Sequence, residues 1–163
     1  MRWGTDHKLI VGKYSSIGPD VSIILGGNHR HDWVTTSQLP AETFQAYEKF
    51  PKAKSIKNFI YSKGDIIIGN DVWIGNSVTI MSGVKIGDGA VIACNSHIVK
   101  DVEPYTIAGG NPGQAIKKRF SDEQIKKLLK IKWWDWDVQK INDNTPLLCN
   151  DNIDYFINKH YIE

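Results

Sequence analysis

Between Asn28 and Trp33 the chain gathers two imidazoles, a guanidinium, a carboxylate and an indole in the run NHRHDW. Histidine is the side chain best suited to take a proton near neutral pH, since an unperturbed imidazole titrates near pH 6.5 and its neutral ring keeps a free lone pair. His29 and His31 therefore compete for the role of general base. Asn28 either orients a neighbouring imidazole or bonds its own backbone, as asparagine often does at turns. Asp32 either pairs with Arg30 or binds a hydroxyl, and Trp33 either offers a platform to a ring or anchors the segment. Metal chemistry has less support. Cys94 and Cys149 are the only cysteines, too few and too far apart for a thiolate zinc site or a disulfide framework. His97 has Ile92 five residues before it and Val102 five after it. The paired imidazoles of a coil-borne zinc lyase are missing, and no metal is expected.

What must position this cluster is a repeat. Ile68, Ile74, Ile80, Ile86, Ile92 and Ile98 recur every six residues, with Gly69, Gly75, Gly87 or Ala93 following and Val72, Val78, Val84, Ala90, Ser96 and Val102 four positions on. Val11-Gly12, Ile17-Gly18 and Ile23 repeat the pattern in their own frame. An ordinary half-buried strand alternates with period two and does not place an isoleucine at every sixth position. A triangular coil of three short strands does, with one aliphatic per strand on the axis and a small residue at each corner. Stacked coils bury the aliphatics in ladders and pair their backbones with the coils above and below. Glycine after the aliphatic is expected to serve turn conformations that a Cβ would resist. The predicted fold is an all-β solenoid, a parallel β-helix.

The length, 163 residues, suits one domain: a solenoid over residues 1–120 and a helical extension of it over 121–163. The rhythm stops over residues 28–64, where AETFQAYEKF predicts a short helix beginning after Pro40. A break this long in a compact repeat protein usually carries function. From Pro104, AGGNPG reads as a turn-rich exit. Ser121 and Gln124 then form a capping box for a helix with Ile125, Leu128 and Leu129 on one face. DVQKI and NIDYFINKHYI read as two further short helical pieces, which cap the solenoid or pack on a neighbour.

Composition narrows the partners. No apolar run approaches the roughly 20 residues of a membrane span, and MRWGTDHKLIVG lacks the apolar core and cleavage site of a signal peptide; a cytoplasmic location is expected. The net charge is +2, with basic residues concentrated only in IKKRF and IKKLLKIK, which argues against nucleic acid as a partner.

The hexapeptide repeats, the NHR loop leaving the first coils, IGNDVWIG, GVKIGDGAVI, VKDVEPYTIAGGNP and IKWWDWD together resemble the xenobiotic acetyltransferase branch of the hexapeptide acyltransferases. The resemblance spans roughly residues 9 to 150. That branch includes type B chloramphenicol and streptogramin A acetyltransferases and many acetyltransferases of polysaccharide synthesis. The resemblance implies a left-handed β-helix, a homotrimer with active sites between subunits, and acetyl-coenzyme A as co-substrate in a groove between two subunits. It implies His29 as the base that lets an acceptor hydroxyl attack the thioester directly, without an acyl-enzyme. Asn28, His31, Asp32 and Trp33 become candidate acceptor contacts. Trp73 of DVWIG, Asn76 of WIGN, Cys94 of IACNS and Lys100 of VKD match positions along the coenzyme, with Cys94 expected as a small corner-filling thiol and not a nucleophile. Gly109, Gly110 and Pro112 shape the turn over the nucleotide, and Lys117 reaches its phosphates while Lys118 and Arg119 stay solvated.

The antibiotic-modifying members carry a substantial segment before their first coil, where this chain has about ten residues, and the DWVTT form is closer to sugar- and glycan-directed relatives. The expected acceptor, a small molecule or glycan, is first a sugar or glycan hydroxyl and second an antibiotic. A non-catalytic hexapeptide scaffold is the alternative of another class.

Overall fold

A computed structural model describes residues 7–41 and 46–162. The first coil runs through β1 (Leu9–Val11), β2 (Ser16–Ile17) and β3 (Ser22–Ile24). The chain leaves through β4 (Asn28–His29) and returns through β5 (Ile60–Tyr61). The second coil is β6 (Ile66–Ile68), β7 (Trp73–Ile74) and β8 (Thr79–Met81). The third is β9 (Lys85–Ile86), β10 (Val91–Ile92) and β11 (His97–Ile98). β12 (Thr106–Gly109) joins a fourth turn, and β13 (Gln114–Lys118) folds back on it. The strands form three faces, β1-β6-β9, β2-β7-β10-β12-β13 and β3-β8-β11, with parallel pairing throughout except β12–β13. This is the solenoid that the six-residue period predicts.

Register explains how a long excursion is tolerated. Val11 lies opposite Ile68, Ile17 opposite Ile74 and Ile23 opposite Ile80, so both blocks of repeats share one ladder. Partners across the excursion are 57 positions apart, whereas Asn70 and Asp88 on successive coils are 18 apart, three repeats. Ile68, Ile74, Ile80, Ile86, Ile92 and Ile98 are each at most 2% exposed, and Val72, Val78, Val84, Ala90 and Ser96 fill the corners equally dry. Burying each such isoleucine stabilises the fold by roughly 1.5–3 kcal/mol. The first coil departs from this. Val11 and Ile17 are 42% and 45% exposed, since among the described residues they are covered by a coil on one side only.

The glycines after the aliphatics have a different cause from the one predicted. Gly69, Gly75 and Gly87 are absent from the left-handed positions. They answer to close approach between coils: a Cβ at Gly75 would stand 2.7 Å from the Cys94 backbone nitrogen. Left-handed backbone falls two residues later, at Asp71, Ser77, Gly83, Gly89 and Asn95, where glycine, asparagine and aspartate carry the smaller penalty. The AGGNPG exit also differs from prediction, because β13 pairs antiparallel with β12 and extends the second face instead of leaving it.

In the excursion, α1 (Ala46–Lys49) is a single turn followed by a 3-10 segment at Pro51–Ser55. The remainder of the helix predicted after Pro40 includes residues 42–45, outside the described residues. Near the C-terminus, α2 (Asp122–Ile131) carries the predicted capping box between Ser121 and Gln124. α3 (Val138–Leu148) is longer than DVQKI alone suggests, and α4 (Ile153–His160) follows. Tyr105, Ile125, Leu128, Trp134, Phe156 and Ile157 form a second core. It docks along one corner of the solenoid: Lys13 pairs with Asp135 at 2.8 Å, Tyr14 meets Trp133 with centroids 4.9 Å apart, and Arg119 donates to the Gly89 carbonyl at 2.7 Å. The extension thus packs on its own chain, and clamps all three coils at once.

Candidate active site

The excursion opens as a two-residue ribbon. β4 and β5 pair antiparallel, Asn28 opposite Tyr61 and His29 opposite Ile60, so the returning strand fixes the departing one. His29 is exposed, and its Nδ1 lies 2.6 Å from the backbone carbonyl oxygen of Thr36. A carbonyl only accepts, so Nδ1 carries a proton, and in the neutral ring Nε2 then keeps the lone pair. The contact closes a ring of backbone from residue 29 to residue 36.

Inside that ring, Arg30 Nε donates to Asp32 Oδ1 at 2.7 Å and its Nη2 pairs with Oδ2. The guanidinium also sits over the rings of Trp33, 5.5 Å to the centroid, and Tyr61, 5.8 Å. The hydrogen-bonded guanidinium holds the Asp32 carboxyl below the ordinary carboxylate range, and Asp32 raises Arg30 in turn. His29, Arg30, His31, Asp32 and Tyr61 line one cavity of about 160 Å³. Asn28 enters by its backbone pairing, and the half-buried Trp33 anchors Arg30. Asp32 thus makes the ion pair with Arg30, and Trp33 lies against the same guanidinium.

The residues matched to the coenzyme fall in two other places. Trp73, 60% exposed, stands on β7, and Asn76 and Cys94 are exposed at the next corner, where the Asn95 N–H donates to the Asn76 carbonyl at 3.0 Å. Cys94 therefore does not fill its corner. Ser96 does: its hydroxyl donates to the Ala93 carbonyl at 2.6 Å and accepts from the Gly110 N–H at 3.1 Å. Lys100, Lys117 and Lys118 line a third region, a cavity of about 360 Å³ floored by Val102 and Ala108. Gly109 and Gly110 form the β12–β13 turn beside it, Gly110 at φ +100°. Lys118 pairs with Asp122. Arg119 is no free surface charge, since it lies over Tyr105 and Phe120 and 3.8 Å from Asp71. None of these residues lines the His29 cavity.

Sequence reasoning missed Thr36 and Tyr61. Thr36 acts through its carbonyl, which no side-chain pattern reveals, and Tyr61 had only a faint signal as part of the β-prone FIY that returns the loop. Among the described residues, no three histidines, cysteines or carboxylates gather as metal ligands.

The family model described as bacterial transferase hexapeptide (six repeats) matches residues 65–100. A chloramphenicol acetyltransferase of Klebsiella aerogenes is 46% identical over 158 residues, covering 96% of this chain and 72% of that one. The virginiamycin A acetyltransferase of Staphylococcus aureus is 48% identical over 150 residues, 90% of this chain and 65% of the relative. Among solved structures, galactoside acetyltransferase in complex with coenzyme A superposes with TM-score 0.50 at 30% identity, over 72% of this chain and 52% of its own. The ladder of hexapeptides and the NHR loop of this chain, together with these relatives, lead to one assignment: the chain belongs to the xenobiotic acetyltransferase branch of the hexapeptide-repeat acyltransferases and is an acetyltransferase.

Proposed function

We propose that the protein transfers an acetyl group from acetyl-coenzyme A to a hydroxyl of an antibiotic-type small molecule, with His29 as general base. The observation that carries the reading is the Thr36 carbonyl on Nδ1, 2.6 Å away, which leaves Nε2 bare beside a cavity. A base in that state takes the acceptor's proton as its oxygen attacks the thioester carbonyl, and returns it to the departing thiolate. The co-substrate supplies the thioester. Lys100 and Lys117 suit its phosphates, because their ammonium groups are point charges at the rim of a cavity whose size, about 360 Å³, admits part of a nucleotide. Trp73, Asn76, Cys94, Gly109 and Gly110 are proposed to flank the remainder.

These groups and His29 occupy different faces of one chain, which supports a homotrimer of left-handed solenoids whose active sites lie between subunits. The acceptor follows from the relatives. Those nearly half identical are named for chloramphenicol and virginiamycin A, while the galactoside enzyme is more distant. This moves the proposal from the sugar or glycan expected first to the antibiotic expected second. A glycan acceptor stays as the second reading, favoured by the polar side chains of Arg30, His31 and Asp32 on the cavity wall.

His29→Ala is expected to lower turnover by about 10²–10⁴ while calorimetry shows coenzyme A binding unchanged. Near-normal turnover would overturn the base assignment. Thiol release with chloramphenicol, a streptogramin A and a panel of free and nucleotide-linked sugars decides the acceptor. Turnover only on sugars would replace the antibiotic reading.

A further inference from the structure

We infer that Arg30 is a positioning residue that sets the tautomer of His29. The inference rests on His29 as the base and adds what holds it ready. A neutral histidine in water prefers its proton on Nε2, the wrong nitrogen for a base that must present Nε2. The Thr36 carbonyl reverses that preference from seven residues away, and it does so only while the 29–36 ring keeps its shape. Among the described residues, backbone pairing with β5 holds the start of that ring and Thr35 Oγ1 accepts from the Ser37 N–H at 3.1 Å near its end. The side-chain bracing between them centres on Arg30.

Arg30 touches three different parts of the excursion. Its two bonds to Asp32 fold the ring's interior, its face covers Trp33 midway to Thr36, and the same guanidinium reaches the Tyr61 ring on the returning strand. Planarity makes this possible, because a fork that binds a carboxylate edge-on leaves both faces for aromatic rings. Lysine carries the charge without the fork or the faces. Since the side chain points its donors at Asp32, its part in the reaction runs through His29 and not through the acetyl group.

The test uses the full-length protein with ¹⁵N-labelled histidine, and His29→Ala identifies the His29 signals. At a pH where the ring is neutral, the wild type should show a protonated Nδ1 and a bare Nε2. Arg30→Ala and Arg30→Lys should both shift the ring toward the Nε2-protonated form, with turnover falling about 10-fold or more and the KM for acetyl-coenzyme A unchanged. Tyr61→Phe keeps the ring and should keep the wild-type tautomer, whereas Tyr61→Ala should not. An unchanged His29 tautomer in both Arg30 variants overturns the inference, including the case where turnover falls, which would put Arg30 on the substrate. Rescue by lysine overturns it too, by showing that charge alone suffices. Normal turnover of His29→Ala would instead sink the base assignment and leave the tautomer result standing.

Discussion

The repeat core and the excursion that interrupts it are held together by opposite means. In the core, each isoleucine is supported by identical neighbours one coil away, so its position follows from a rule of period six. Among the described residues of the excursion no contact repeats: Thr36 on His29, Asp32 on Arg30 and Tyr61 under the same guanidinium each occur once. The core is stable because it is redundant, and its axis has no room for reactive groups because an isoleucine fills each repeat from Ile68 to Ile98. The excursion is chemically rich because it is released from that rule. Its geometry then depends on a few polar contacts that are exposed to water. Stability and reactivity should therefore separate by region, and substitutions can check that they do.

The largest effect on folding is expected from Ile74→Ala. Ile74 is fully buried between Ile17 and Ile92, and removing such a side chain costs about 2–5 kcal/mol. Chemical denaturation should report that loss, while the folded fraction keeps its turnover. His29→Ala should do the reverse, with denaturation unchanged and turnover down by about 10²–10⁴. If Ile74→Ala lowered turnover at full occupancy of the folded state, core and excursion would be coupled and the contrast would fail.

Gly75→Ala comes next. Its Cβ would stand 2.7 Å from the Cys94 nitrogen and 2.9 Å from the Cys94 Cα. Backbone cannot swing aside as a flexible side chain does, so the coils must part locally, at roughly 1–3 kcal/mol. Because the Cys94 corner is also proposed to flank the coenzyme, this variant should weaken coenzyme A binding as well, measurable by calorimetry. A loss of stability with unchanged affinity would remove that corner from the coenzyme site.

How much of this was legible in the sequence follows from the same contrast. Ile68 to Ile98 announced themselves because six equivalent positions had to obey one constraint, and even the offset frame of Val11, Ile17 and Ile23 joined the ladder in register. The meaning of the glycines was misread, since close approach and left-handed backbone both select glycine and only coordinates separate Gly75 from Gly83. β13 was hidden because an antiparallel return breaks the period. At the candidate site, His29 was singled out by resemblance to a motif, whereas its partner is the carbonyl of Thr36, a group every residue possesses. Arg119 looked like one more charge in a basic run. Its contacts with Asp71, Gly89 and Tyr105 are all tertiary.

The smallest expected effect tests a third region, the seam between solenoid and helical extension. Asp71 lies there in left-handed backbone at φ +54°, half-buried and 3.8 Å from Arg119. Burial raises its pKa above the ordinary carboxylate value, more than the nearby Arg119 lowers it. In the window just above the unfolded carboxylate pKa the folded state thus holds more of the proton than the unfolded one. Stability should fall as pH rises through that window and level off above the folded pKa. Asp71→Asn keeps the shape and tolerates the backbone, so it should flatten the fall, by less than about 1 kcal/mol given the partial exposure. Denaturation midpoints between about pH 4 and 7 measure it. A fall equal in wild type and variant would mean that Arg119 already compensates Asp71 fully, making the seam as self-sufficient as the repeats it clamps.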